Sequence, residues 1–213
     1  MSTDLVVRPL VRAGTTPEQI AAMTLGDETN GAVDPTLGSL VDLWEDDKLD
    51  TWTLVLVRHG RAVKRSVWNR PKERDKETDE ATRPLTHDQG ETRARALVPI
   101  LAAYGVGRVL TSPWKRCVDT VAPYAAAAGL DLEMADAFTE MAHADSPKGV
   151  RSVVKKVLRV REEPTALCTH RPVLPTVLRV LRGRLDPQLR SILPEEDPYL
   201  APGEMIVLQV SRK

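Results

Sequence analysis

Arg58-His59-Gly60 is the point in this 213-residue chain where chemistry concentrates. It follows four apolar residues, Leu54-Val55-Leu56-Val57, that read as a buried strand. A guanidinium and an imidazole at the C-terminal end of a strand stand where open α/β sheets bind their ligands. Gly60 allows the sharp turn such a site needs. The planar fork of Arg58 matches phosphate geometry, so the tripeptide predicts an anion site with a histidine inside it. The bland alternative is a loop histidine beside an unrelated surface arginine. Two further stretches carry compatible groups: Ser112-Pro113-Trp114-Lys115-Arg116, and His170 with Arg171 after it. Two histidines and two arginines converging on one crevice form a coherent site for phosphoryl transfer.

The elements that must position these residues alternate. Strands are predicted over 52–58, 108–111, 130–134, 165–169 and 204–210. Between the first two lies a long exposed loop, 61–83, in which Arg61, Lys64, Arg65 and Arg70 face either an anion or solvent. Thr86, with Gln89 three residues on, predicts a capped helix start. Ala94, Leu97, Val98, Leu101 and Tyr104 continue at helical spacing, and Pro99 predicts a kink or break. A second helix runs from Ser112-Pro113 to about Ala128, closed by Gly129. Phe138 to Met141 reads as loop. Val150, Val153, Val154, Val157 and Leu158 mark an amphipathic helix, and Leu174, Val177, Leu178 and Leu181 mark another. Residues 186–202 are rich in proline and acid and read as a surface wrap. Alternating strands and helices imply an α/β fold, a mainly parallel central sheet with helices on both faces.

Composition narrows the partners. Net charge is zero, but residues 1–50 carry ten acids against three bases, and the remainder twenty acids against twenty-seven bases. The basic body favours an anionic ligand. One Phe, three Tyr and four Trp give little for base stacking, so nucleic acid is not expected. No apolar run approaches a membrane span, and the N-terminus lacks a signal-peptide pattern, so a cytoplasmic protein with no membrane partner is expected. Cys117 and Cys168 have no metal-ligand spacing and read as free thiols. Residues 1–50, with a helix start at Thr16-Pro17, read as an acidic arm, partly disordered or the remnant of a neighbouring domain, ahead of a body at 51–213.

Four motifs in order give the body a family resemblance. Arg58-His59-Gly60 matches the RHG signature of the histidine phosphatase superfamily, the phosphoglycerate mutase-like proteins. Arg83-Pro84-Leu85-Thr86 with Gly90 resembles the SixA-like branch, as does Ser112-Pro113-Trp114-Lys115-Arg116 followed by Thr120. His170, ahead of a helix, completes the set, and the resemblance spans residues 52–210. More narrowly, the body is similar to the phosphatase-like domain appended to actinobacterial MutT/Nudix hydrolases, although this chain has no Nudix signature. Asp119 stands where the family pattern has Gln.

The resemblance implies a metal-independent phosphatase without a cofactor. His59 would carry a transient phosphoryl group, with Arg58, Arg116 and His170 around the equatorial oxygens. To attack, His59 must be neutral, with its second ring nitrogen held by an acceptor such as a backbone carbonyl. The leaving group needs an acid; Glu140 is the candidate, with Asp136 and Asp145 in the same loop. Gly60, Arg61, Ser112 and Arg171 are candidate substrate-binding residues, Arg171 equally well a solvated helix start. Cys117, Cys168, Trp68 and Trp114 read as packing residues, His87 as surface, and His143 as an outside candidate for the pocket. The substrate would be a phosphorylated small molecule, a nucleotide or a phosphohistidine protein. A catalytically quiet phosphate-binding module is the alternative, and a mutase a further one that longer inserts would have favoured.

Overall fold

A computed structural model describes residues 5–7, 51–68, 80–160, 163–185 and 187–211. Six strands form one sheet: β1 (Leu5–Val7), β2 (Thr51–Arg58), β3 (Arg108–Thr111), β4 (Leu132–Met134), β5 (Thr165–Thr169) and β6 (Met205–Ser211). Their order is β1-β6-β2-β5-β3-β4. The run β2-β5-β3-β4 is parallel, and β6 and β1 add antiparallel strands at one side. The fold is the mainly parallel α/β architecture expected.

Helices α1 (Arg65–Trp68), α2 (Gly90–Ala103), α3 (Lys115–Ala128), α4 (Glu140–Asp145), α5 (Pro147–Val160) and α6 (Leu174–Arg182) complete the described elements. The alternation of β2 explains the two-layered cover. Trp52, Leu54 and Leu56 point to one face, where they pack with Val154 and Val157 of α5 and Leu178 and Leu181 of α6. Val55 and Val57 point to the other, against Leu97 and Leu101 of α2 and Cys117 and Val121 of α3. A strand covered on both faces has no polar alternation, hence the unbroken apolar run in the sequence. Each of these fully buried side chains contributes about 1.5–3 kcal/mol of apolar burial.

Several local expectations are corrected. The capping box does not form: the Thr86 hydroxyl accepts from the Gly90 N–H at 3.0 Å, the Thr86 carbonyl accepts from Glu91 N–H, and α2 begins only at Gly90. A turn over 87–89 thus replaces the predicted first turn of the helix. Helix α2 also runs through Pro99 unbroken, with Pro99 on its exposed face. The loop over 61–83 contains α1 and a 3-10 turn at Glu80–Thr82; Arg70 lies outside the described residues. The stretch from Phe138 to Met141 is not simple loop. A 3-10 turn, Asp136–Phe138, ends there, and α4 begins with Thr139 as its cap, accepting from Ala142 N–H at 3.1 Å. Residues 186–202 are more than a surface wrap, since Leu193 and Leu200 are 1% exposed and join the α5/α6 core. Of the N-terminal arm, Leu5–Val7 pairs with β6, an edge strand the residue pattern did not reveal; the helix start at Thr16 lies outside the described residues.

Gly90 is where packing reaches toward the strand end that holds His59. A Cβ there would lie 2.3 Å from the Arg61 carbonyl oxygen and 2.8 Å from Leu85 Cβ. Gly90→Ala is expected to destabilise the protein by about 1–3 kcal/mol, read as a lower urea midpoint at unchanged slope. An unchanged midpoint would refute the close approach.

Candidate active site

Strand register brings the distant motifs together. Arg58 of β2 lies opposite Thr169 of β5, and Thr111 of β3 opposite Cys168. The next residues, His59 and His170, therefore leave the sheet at one level, and Ser112 leaves it one residue earlier, level with Arg58 and Thr169. Backbone bonds seal the junction: His59 N–H donates to the Thr169 carbonyl at 3.0 Å, and Ser112 N–H to the Cys168 carbonyl at 3.1 Å. The imidazole centroids of His59 and His170 lie 5.2 Å apart, edge to face.

His59 is oriented by its own turn. Its Nδ1 is 2.7 Å from the Gly60 carbonyl, which can only accept, so Nδ1 carries the proton and Nε2 keeps its lone pair. Gly60 N–H donates to the Thr120 hydroxyl at 2.8 Å, and that hydroxyl donates to the Arg116 carbonyl at 2.6 Å. Burial, reinforced by the Arg116 charge, pushes the His59 pKa down to about 3. His170 is also lowered, well below its ordinary value, by burial first and then by the neighbouring His59 and Arg116. Both imidazoles are thus neutral at neutral pH.

Arg116 is fully buried in the first turn of α3. It donates to Glu140 Oε1 at 2.8 Å and to the Glu80 carbonyl at 2.8 Å, and lies 4.5 Å over the Trp114 ring. Arg58 donates to the Leu200 carbonyl at 2.5 Å, and Gly203 N–H reaches the carbonyls of Arg58 and His59 at 3.1 and 3.0 Å. The Nε atoms of both arginines are buried without a partner. Two buried guanidinium N–H groups free of protein partners are unusual in a folded interior and are suited to bind an oxyanion.

Five of the candidate residues therefore lie together: Arg58, His59, Arg116, Glu140 and His170. Glu140 Oε1 is 3.5 Å from His170 Nδ1 as well as bonded to Arg116, whereas Asp136 and Asp145 are exposed. Gly60 forms the turn. Ser112 faces His170, its hydroxyl 2.8 Å from Nε2, and so acts on the histidine rather than as a free ligand group. Arg171 is half exposed and 3.5 Å from Asp197, and Arg61 is exposed, its backbone carbonyl tied to Thr86 N–H. His143 bonds Thr176 on α6, and His87 pairs with Glu91 at the surface. Cys117 places its thiol 3.4 Å from His170 Nε2.

Residue reasoning missed several neighbours of the site. Thr120 sits one helical turn beyond Arg116, a spacing that could have found it. Trp114, read as packing, stacks edge-on to His170 at 4.9 Å. Glu80 has no motif to announce it and enters through Arg83, the first residue of the Arg83-Pro84-Leu85-Thr86 motif, whose Nε donates to Glu80 Oε2 at 3.0 Å, and through Arg116, 3.6 Å from that oxygen.

His59, Glu140 and His170 place ligand-type atoms within 4.8 Å of one another. Their surroundings disfavour a cation, because Arg116 already occupies Glu140 and Arg58 adds a second guanidinium. The arrangement suits an anion. Among the described residues no helix is long and apolar enough to cross a membrane.

Comparison with known proteins agrees. The model of the histidine phosphatase superfamily (branch 1) matches residues 54–149, which include Arg58, His59, Arg116 and Glu140. An 8-oxo-(d)GTP phosphatase of Mycolicibacterium smegmatis is 30% identical over 132 residues, 61% of this chain and 37% of that protein. The chain thus spans little more than a third of that relative's length. Among solved structures, a SixA phosphohistidine phosphatase from Agrobacterium tumefaciens superposes with a TM-score of 0.53 at 21% identity, covering 73% of this chain and 90% of the other. Another SixA, from Nakamurella multipartitia, gives 0.51 at 20% identity, with 75% and 84% covered. These likenesses establish the phosphoglycerate mutase-like fold. Residues 54–149 are thus similar to the histidine phosphatase superfamily (branch 1), and the chain has the fold seen in SixA structures.

Proposed function

We propose that this chain is a metal-independent phosphatase that works through a covalent phosphohistidine on His59. The observation that carries the reading is the single hydrogen bond from Nδ1 to the Gly60 carbonyl, which leaves Nε2 unprotonated between two arginines that each hold a spare buried N–H. A neutral imidazole with an unprotonated Nε2 is a nucleophile, and fixed guanidinium groups supply the charge stabilisation that phosphoryl transfer otherwise draws from metal ions.

In the first step the Nε2 lone pair forms the N–P bond while the bond from phosphorus to the leaving oxygen or nitrogen breaks. Arg58 and Arg116 hold the equatorial oxygens, and neutral His170 donates a further hydrogen bond. The phosphoryl oxygens take Arg116 from Glu140, and the freed carboxylate accepts the proton carried in by a monoanionic substrate phosphate and delivers it to the leaving atom. In the second step Glu140 takes a proton from water, the water oxygen attacks phosphorus, and the N–P bond breaks to return neutral His59 and release phosphate. Ser112, Thr120 and Gly60 act as positioning residues for the two imidazoles.

The substrate is a phosphate ester, a phosphoramidate or a nucleotide phosphate. A phosphohistidine protein is consistent with the fold shared with SixA, and a nucleotide with the relative whose name gives an oxidised guanine nucleotide. His59→Ala is expected to lower turnover of p-nitrophenyl phosphate by about 10⁴-fold or more, with EDTA leaving the wild-type rate unchanged. Full binding of phosphate without turnover in the wild type would instead identify a quiet binding module. Glu140→Gln is expected to slow phenyl phosphate by about 10²–10⁴-fold and p-nitrophenyl phosphate far less, because the better leaving group needs less acid. Equal losses on the two esters would remove Glu140 as the acid. The lowered pKa of His59 has a definite sign: its imidazole stays neutral as pH falls through 6.5 and gains a proton only toward about 3. Its ring proton resonances are therefore expected to show no titration from pH 8 to about 5; a midpoint near 6.5 would overturn the buried, arginine-flanked environment.

A further inference from the structure

Glu80 is not part of the phosphoryl-transfer step derived above, yet it is bonded into the same cluster. Its Oε1 accepts from Arg65 Nε at 2.8 Å, and its Oε2 accepts from Arg83 Nε at 3.0 Å and lies 3.3 Å from a second Arg65 nitrogen. The same Oε2 is 3.6 Å from Arg116, and the Glu80 backbone carbonyl accepts from Arg116 at 2.8 Å. Arg65 also reaches Glu140 Oε2 at 3.5 Å. Glu80 and Glu140 thus share two guanidinium groups.

We propose that Glu80 is a specificity-determining residue that sets the charge tolerated beside the reacting phosphorus, favouring a lone terminal phosphoryl group over a phosphoanhydride. The proposal rests on the phosphatase reading above. The leaving group must depart past Glu140, which protonates it, and so toward the space bordered by Arg65 and Glu80. In a monoester or phosphoramidate the departing atom joins a carbon framework without charge next to it. In a phosphoanhydride the departing group is itself a phosphate, and its charge meets the Glu80 carboxylate.

The charge balance of the cluster points the same way. Arg58, Arg65, Arg83 and Arg116 face Glu80 and Glu140, with both imidazoles neutral, leaving two positive charges for one phosphoryl dianion. Arg171 is matched separately by Asp197. Without the Glu80 charge the cluster would hold three positive charges and suit a more anionic ligand. Partial burial works to raise the pKa of Glu80, but the hydrogen bond from Arg65 and the charge of Arg83 outweigh it and hold the carboxyl below its ordinary value, so the charge is present at neutral pH.

The test is calorimetric titration of the full chain with inorganic phosphate and with pyrophosphate, in EDTA, for the wild type, Glu80→Gln and Arg65→Ala. The ratio of pyrophosphate to phosphate association constants is expected to rise about tenfold in Glu80→Gln, where a negative charge is removed without change of size. It is expected to fall in Arg65→Ala, where a positive charge is removed from the same place. Arg65 is 59% exposed, so that variant keeps the test informative if Glu80→Gln folds poorly. A merely structural role for Glu80 would weaken both anions alike and leave the ratio unmoved. An unmoved ratio in the variants, with phosphate still bound, overturns the proposal. Failure of the phosphatase reading shows separately, as turnover retained in His59→Ala.

Discussion

The parallel pairing of β2 with β5 is the constraint on which the site depends. Because Arg58 sits opposite Thr169, the residues that follow them leave the sheet side by side, and the backbone bond from His59 to Thr169 holds that level. A slip of one residue would turn alternate side chains to the wrong face and separate the two imidazoles. Register is protected by the same apolar side chains that build the core, since Leu54, Leu56 and Leu167 cannot exchange faces with Val55, Val57 and Cys168 without opening both layers. The core thus specifies the site even though none of its apolar residues takes part in chemistry.

Charge burial is the second determinant. A fully buried guanidinium such as Arg116 is costly unless its donors are met. Glu140, the Glu80 carbonyl and the Trp114 ring meet most of that demand, and one N–H remains unpartnered. The histidines answer the same environment in the opposite way: rather than pair their charge, they lose it, because burial and nearby arginines make protonation unfavourable. Cationic arginines beside neutral imidazoles are the combination that a histidine nucleophile and an anionic substrate both require.

The positioning groups extend this logic outward. Thr120 links the turn at Gly60 to the helix that carries Arg116, so a shift of α3 moves His59 and Arg116 together. On the opposite side, the 196–204 turn clamps Arg58 by its side chain through Leu200 and by its backbone through Gly203. Gly203 has φ +75°, and a Cβ there would stand 2.4 Å from the Arg93 side chain, which is why a glycine serves at that point.

The sequence by itself determined the parallel α/β plan, the strand ends that carry chemistry, and the identity of His59, Arg58, Arg116 and His170 as a set. Those features are local: an apolar run, a tripeptide, a helix period. It also brought Glu140 forward among three carboxylates, but only tertiary structure separates them by place: Glu140 reaches Arg116 and His170 because of where Thr139 caps α4. Tertiary structure likewise decided the late start of α2, where the Thr86 hydroxyl reaches Gly90 instead of Gln89, and the meeting of Arg65 and Arg83 with Glu80 beside Arg116. Residues far apart in the chain have no shared period or spacing to announce them. Their meeting is fixed by packing, which sums the whole fold, whereas a motif reports only its own few residues.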